Sequence, residues 1–268
     1  MVCPARPPVT GLKKRAFGPG KTVMKIDPRE IAALAQAESA APRLDMYAGI
    51  HKALRAFMSD TLVAMGRMDV DDDLEFAQTC DRVMGLLDMC RAHLQHENRF
   101  IHTAMELREP GACAAVETEH TEHERALSGL AIGVSHLLAS PRARRAAASH
   151  ALYRQLALFV AHNFDHMHEE EVHHNQVLWA HYTDEELVQI HEALVASIPP
   201  AEMMDVMRWM VPYLSPAERT VMLKDMQKHA PAPVLAAVLA HVQPHLTQNE
   251  WAKLSQALGL PKVPGLVH

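Results

Sequence analysis

AHNFDHMHEEEVHHNQVLWAH, Ala161 to His181, places six histidines and three consecutive glutamates within 21 positions of what otherwise reads as a long amphipathic helix. At about 3.6 residues per turn, Leu152, Leu156, Phe159, Asn163, His166, Glu170, His173 and Val177 share one face. An apolar stripe therefore turns polar halfway along its length. An imidazole and a carboxylate buried together on such a face need a partner, because an unpaired buried charge is costly. A metal cation is the usual one when both groups are present.

Three further helices carry seams of the same kind. Arg43 to Arg67 sets Leu44, Tyr47, His51, Leu54, Met58, Leu62 and Met65 at heptad spacing, so one histidine interrupts an apolar stripe. After the acidic turn Asp69 to Asp73, a second helix presents Val83, Leu86, Cys90, His93, Glu97, Ile101 and Ala104, and Pro110-Gly111 ends it. A third, Ala114 to Ser140, presents Val116, His120, His123, Leu127, Leu130, Val134 and Leu137. Ser140-Pro141 leads into the fourth, which contains the opening stretch. Four long helices with heptad-like seams and short connections predict an all-α, up-down-up-down four-helix bundle over residues 41–182.

The seam interruptions form a repeat: His51, then His93-x3-Glu97; His123 or His120, then His166-x3-Glu170. Residues four apart on a helix lie over one face, so each His-x3-Glu pair can offer a ring nitrogen and a carboxylate to one point on the bundle axis. Two such points bridged by the two glutamates describe a dinuclear metal centre with four imidazoles, two carboxylates and no thiolate. That donor set suits two iron ions per chain, ahead of manganese or zinc. On the third helix both His120 and His123 lie on the seam. The intervals from His51 to His93 and from His123 to His166, 42 and 43 residues, favour His123, with the other as an outer-sphere or third ligand. His173, on the seam, is expected to line the pocket or relay a proton, and His162 to sit beside the site. His168, His174, His181 and His191 are expected at the surface. A ferritin-like alternative pairs Glu117 with His120 and Glu170 with His173, but the first helix has no seam glutamate to complete it.

The order His, His-x3-Glu, His, His-x3-Glu on four helices resembles the hemerythrin-like (HHE) domains, particularly those of bacterial iron-sulfur repair proteins and plant iron-sensing ubiquitin ligases. The likeness covers residues 43–182, and it extends through HMHEEEVHHNQVLWAHYTDEELVQIHEALVASIPPAEMM and MRWMVPYLSPAER. It implies a non-heme di-iron protein that binds a diatomic ligand, O2 or NO, in sensing, storage or stress response. The alternative it implies is a di-iron enzyme acting on O2, peroxide or NO. Oxygen-carrying hemerythrins use His-x3-His and His-x4-Asp on their last two bundle helices. Here His120-x2-His123 and His166-x3-Glu170 stand in those places.

Beyond the bundle, residues 183–268 predict a C-terminal helical subdomain of five shorter helices. They open at Thr183, Pro199, Ser215, Pro231 or Pro233, and Thr247. Its apolar faces carry few metal-type residues, which suits packing on the bundle, on a protein partner or on a second copy. Residues 1–40 form a basic, Pro- and Gly-containing leader expected to be partly disordered, with Met24 as a second candidate start. A net charge of -6 gives no basic face for nucleic acid or an anionic membrane. No run approaches the roughly 18 apolar residues of a membrane helix, so a cytoplasmic protein is expected. The four cysteines show no CxxC spacing and frame neither a disulfide scaffold nor a zinc knuckle.

Overall fold

A computed structural model describes residues 28–36 and 43–260, and every regular element among them is helical. The chain divides into two compact units, Met1–Pro42 and Arg43–His268. In the first, the described part is α1 (Pro28–Gln36). The rest of the expected leader lies outside the described residues.

The second unit begins with α2 (Ala48–Arg67), which starts five residues later than its apolar spacing predicts. The cause is local. The Asp45 carboxylate accepts the N–H groups of Tyr47 and Ala48 at 2.9 and 3.0 Å, a side-chain turn that competes with helix. Arg43, left outside the helix, donates to the carbonyls of Trp179 and Tyr182 and to Asp184. Helix α3 (Asp73–His96) is capped by Asp72, whose side chain accepts from the Leu74 and Glu75 N–H groups. It runs without a break through a π-helical turn, Glu97–His102, into α4 (Thr103–Arg108). Helices α5 (Ala114–Ala139) and α6 (Arg142–Glu169) follow, and α6 passes through a second π turn, Glu170–His174, into α7 (Asn175–His181).

Helix α2 packs against α3 and α6, and α5 packs against the same two. Leu54, Met58, Leu86, Leu127, Leu137 and Leu156 are fully buried between them, so the apolar seams read from the sequence do meet. Gly133 lets α5 approach α6 closely, since a Cβ there would stand 2.9 Å from Leu152 Cδ1.

The chain continues through α8 (Asp184–Ser197), α9 (Pro200–Tyr213), α10 (Pro216–His229), α11 (Ala232–Val242) and α12 (Gln248–Leu258). Thr183, Ser215 and Thr247 each accept from the glutamate N–H three residues on, while that glutamate binds back to the cap. Such reciprocal caps stabilise a helix start by about 1 kcal/mol. Their apolar faces meet in a core of Met207, Val211, Leu223, Val238, Val242, Trp251 and Leu254. Buried Arg219 ties α10 to the end of α9, donating to the carbonyls of Val211, Pro212 and Leu214. Helix α9 lies along α2, where Trp209 stacks on Phe57 with ring centres 4.0 Å apart. Helix α8 places Leu187 in a third core with Tyr47, Met105 and Leu178. Among the described residues no helix is long and apolar enough to cross a membrane.

Candidate metal centre

The polar interruptions of the four seams converge. His51 from α2, His93 from α3, Glu97 at the first π turn and Glu170 at the second bring one ligand atom each within 4.8 Å of one another. Glu97 and Glu170 also belong to a second such group, with His120 from α5 and His166 from α6. The two oxygens of each glutamate face different groups. Glu97 Oε1 lies 3.0 Å from His93 Nε2 and 3.8 Å from His51 Nε2, while its Oε2 lies 3.7 Å from His120 Nε2. Glu170 Oε2 lies 3.5 Å from His51 Nε2, while its Oε1 lies 3.6 and 3.4 Å from His120 and His166 Nε2.

Those separations suit ligands gathered round cations. At metal–ligand bonds of about 2.1 Å, neighbouring donors stand roughly 3.0 to 3.5 Å apart at square to tetrahedral angles, and farther at wider angles. The 3.1 Å between His120 Nε2 and His166 Nε2 falls in that range. Hydrogen bonding among the residues themselves does not satisfy the cluster. His51 Nε2, His93 Nε2 and all four oxygens of Glu97 and Glu170 are buried without a hydrogen-bond partner. The 3.0 Å His93–Glu97 approach is an electrostatic contact in which the ring N–H is misaligned with the carboxylate. Buried acceptors left unpaired cost about 1 to 3 kcal/mol each, so this many in one place calls for something that satisfies them together. The residues fit one or two cations.

The far side of three rings is held. His51 Nδ1 lies 3.0 Å from Glu171 Oε1, and Arg55 grips the same carboxylate at 2.6 and 3.0 Å. His120 Nδ1 is 2.8 Å from Asn98 Oδ1, and His166 Nδ1 is 2.8 Å from Glu119 Oε2. With hydrogen on Nδ1, each ring donates outward and turns the Nε2 lone pair to the centre, the arrangement metal-ligating histidines use. Burial pushes His120 down to about 2, which keeps it in the neutral form that a metal ligand needs. His51 departs upward. Burial opposes its charge, but the hydrogen bond to Glu171 and the nearby Glu97 carboxylate outweigh that opposition. Burial, then the facing Glu97 carboxylate, pushes Glu170 well above the usual carboxylate range, and a cation would reverse that penalty.

Of the residues singled out from the sequence, His51, His93, Glu97, His120, His166 and Glu170 come together. His123 does not join a ligand group. Its buried ring packs edge-on against His166, 4.6 Å away, and against Phe159. Equal intervals do not mean equal heights here, because the connection between α2 and α3 spans residues 68–72 and that between α5 and α6 only 140–141. His173 points away from the centre to Glu169, 3.1 Å from it, with its side chain 45% exposed, and His162 is exposed. Exposed Glu117 and outward His173 leave the ferritin-like pairing unformed. His174, expected at the surface, is buried and only 3% exposed, as is His102, which the heptad seam passed over. Glu171, Asn98, Glu119 and Arg55 also escaped the sequence, and Tyr47 read there only as a seam position. The one signal for Glu171 was the unbroken Glu169-Glu170-Glu171 run, in which Glu169 meets His173, Glu170 faces the centre and Glu171 holds the outer nitrogen of His51.

A cavity of about 1140 Å³ lies between α2, α3 and the helices α8 to α10. Ile50, Phe57, Met203, Met207, Met210 and Met226 give it an apolar lining, and Tyr47, His93 and Glu97 contribute to its wall. No family profile, characterised protein or solved structure matches this chain.

Proposed function

We propose that this chain is a non-heme di-iron protein of the hemerythrin-like kind, an up-down-up-down four-helix bundle that holds its metals on the bundle axis and binds a small diatomic ligand, O2 or NO. The observation that carries the reading is the pair of groups, His51/His93 and His120/His166, sharing the opposed oxygens of Glu97 and Glu170. The closed packing of α2, α3, α5 and α6 supports the bundle topology. The ligand order along those helices supports the hemerythrin-like assignment. Iron in such a donor set supplies open coordination positions and one-electron redox chemistry.

The chain's own residues set the conditions for that chemistry. Glu97 and Glu170 supply the negative charge that lets cations sit in an apolar interior. Glu171, with Arg55 behind it, fixes the His51 ring, and Asn98 and Glu119 fix His120 and His166. Leu86, Leu127 and Leu156 in the surrounding core keep bulk water away.

One observation favours a second reading, an enzyme that oxidises an organic co-substrate. The cavity beside His93 and Glu97 is far larger than O2 or NO needs and is of the size that accepts an apolar small molecule. The test is anaerobic loading of the purified chain with Fe(II), followed by optical spectra as O2 and then NO are added. Two tightly held iron ions per chain and a persistent adduct are expected. Absence of tight iron would overturn the di-iron reading, and rapid consumption of O2 without an adduct would move the conclusion to the enzyme.

A further inference from the structure

Glu170 takes part in a third group, and it reaches across to a pair of histidines outside the four ligand rings described above. His102, at the end of the first π turn, and His174, at the end of the second, each place a ring nitrogen within 4.8 Å of the other and of a Glu170 oxygen. Both rings are 3% exposed. Neither nitrogen of His102 has a hydrogen-bond partner, and His174 Nε2 has none. His174 Nδ1 is 2.9 Å from the hydroxyl of Tyr47, which is fully buried. As the Nδ1–H tautomer, His174 donates to that phenol oxygen and turns the Nε2 lone pair towards Glu170 and His102. The same outward anchoring marks His51, His120 and His166.

From this geometry we infer that His102, His174 and Glu170 form a third cation site, adjoining the dinuclear centre and taking a divalent transition metal with a preference for imidazole. The inference rests on the di-iron reading, because Glu170 is shared. Ligands of one cation stand about 3.0 to 4.2 Å apart at bonds of about 2.1 Å, so the 4.8 Å limit closes with sub-ångström movement. A carboxylate has about four lone-pair positions on its two oxygens, enough to serve a third cation beyond the pair it bridges. With two imidazoles, a shared carboxylate and no carboxylate of its own, the third site fills last and most weakly. An apolar packing role does not account for the pair. Two neutral imidazoles with three unpaired ring nitrogens are a poor substitute for leucines in a core otherwise built from Met105, Leu178 and Leu187.

The test is an anaerobic titration of the metal-free chain with Co(II), following the visible d–d bands and counting bound metal after equilibrium dialysis. The expected result is two tight equivalents followed by a third. In the double variant His102→Leu/His174→Leu the third is lost and the first two keep their affinity. Tyr47→Phe, which keeps all ligands, is expected to weaken only the third, by about 10- to 100-fold. Two equivalents in both the wild type and the double variant would overturn the third site. A double variant that binds the first two more weakly would overturn it too, by assigning the pair to the dinuclear centre. Fewer than two equivalents in the wild type is the separate result that sinks the di-iron reading itself.

Discussion

Replacing Glu170 with methionine, a side chain of similar length and no charge, should change stability in opposite directions with and without metal. In the metal-free chain Glu170 is fully buried, both its oxygens lack partners, and burial with the facing Glu97 raises its pKa. Removing such a group relieves a penalty of about 1 to 3 kcal/mol. For a body of this size that corresponds to a melting temperature raised by roughly 2 to 10 °C. In the loaded chain the balance inverts. A site filled at a hundred times its dissociation constant contributes about 2.7 kcal/mol, and the variant forfeits this at every site that shares the carboxylate. Thermal melts by circular dichroism, run on chelator-stripped and Fe(II)-loaded protein under anaerobic conditions, should therefore cross. The variant melts above the wild type when stripped and below it when loaded, with iron content falling in parallel. The reasoning is refuted if the order is the same in both states, or if the variant keeps its full iron complement.

Glu171→Gln keeps the size of the side chain that anchors His51 but removes its charge, and should weaken metal binding by about 10- to 100-fold without abolishing it; competition with a chelator of known affinity measures this. Trp209→Ala removes the ring stacked on Phe57 and should cost about 3 to 5 kcal/mol in chemical denaturation, since the side chain is 95% buried. The Lys52–Glu218 pair joins α2 to α10, and Lys52, with Ser215, holds the Glu218 carboxyl down to about 2 against an ordinary 4.5. A depressed carboxyl stabilises the fold above its unfolded value and loses that contribution as pH falls from about 4.5 to 2. Because the pair is exposed, Lys52→Met should cost no more than about 1 kcal/mol at pH 7 and a small fraction of that at pH 2, where the folded carboxyl is half protonated; denaturation at both values checks it. Deleting Val172 takes the extra residue out of the second π turn while leaving α7 facing as before. Iron affinity should fall with little loss of metal-free stability, and unchanged affinity would show the turn to be incidental.

The helices were legible because their seams are long and their caps are chemical. Pro110-Gly111, Ser140-Pro141 and the three Thr/Ser caps stop and start helices through local bonds that tertiary packing need not supply. The six converging side chains were legible for a related reason, since a histidine or glutamate on a buried stripe needs compensation wherever it lies. What stayed hidden is mostly what holds the ligands. Glu171, Asn98 and Glu119 sit one residue away from seam positions, where a polar side chain reads as solvated surface until the neighbouring helix is in place. The cavity was hidden as well, because it is bounded by elements as distant in sequence as Ile50 and Met226.

The two π turns explain the remaining errors through a single geometric cause. A π turn accommodates one extra residue, so an α-helical projection carried through it is wrong by about 100° on the far side. Carried past Glu170, the projection selects His173 and Val177, whereas the residues that bury are His174 and Leu178, one position later in each case. Past Glu97 the projected Ile101 and Ala104 do bury, and His102 and Met105, one position later in each case, bury with them. Both turns begin at the residues that face each other across the axis, Glu97 and Glu170. Two helices that depart from α geometry at the two facing glutamates would be a poor choice for packing alone, because each turn gives up regular hydrogen bonding. The departure coincides with the two facing glutamates, and each turn ends on a histidine, His102 or His174, that is buried within reach of Glu170.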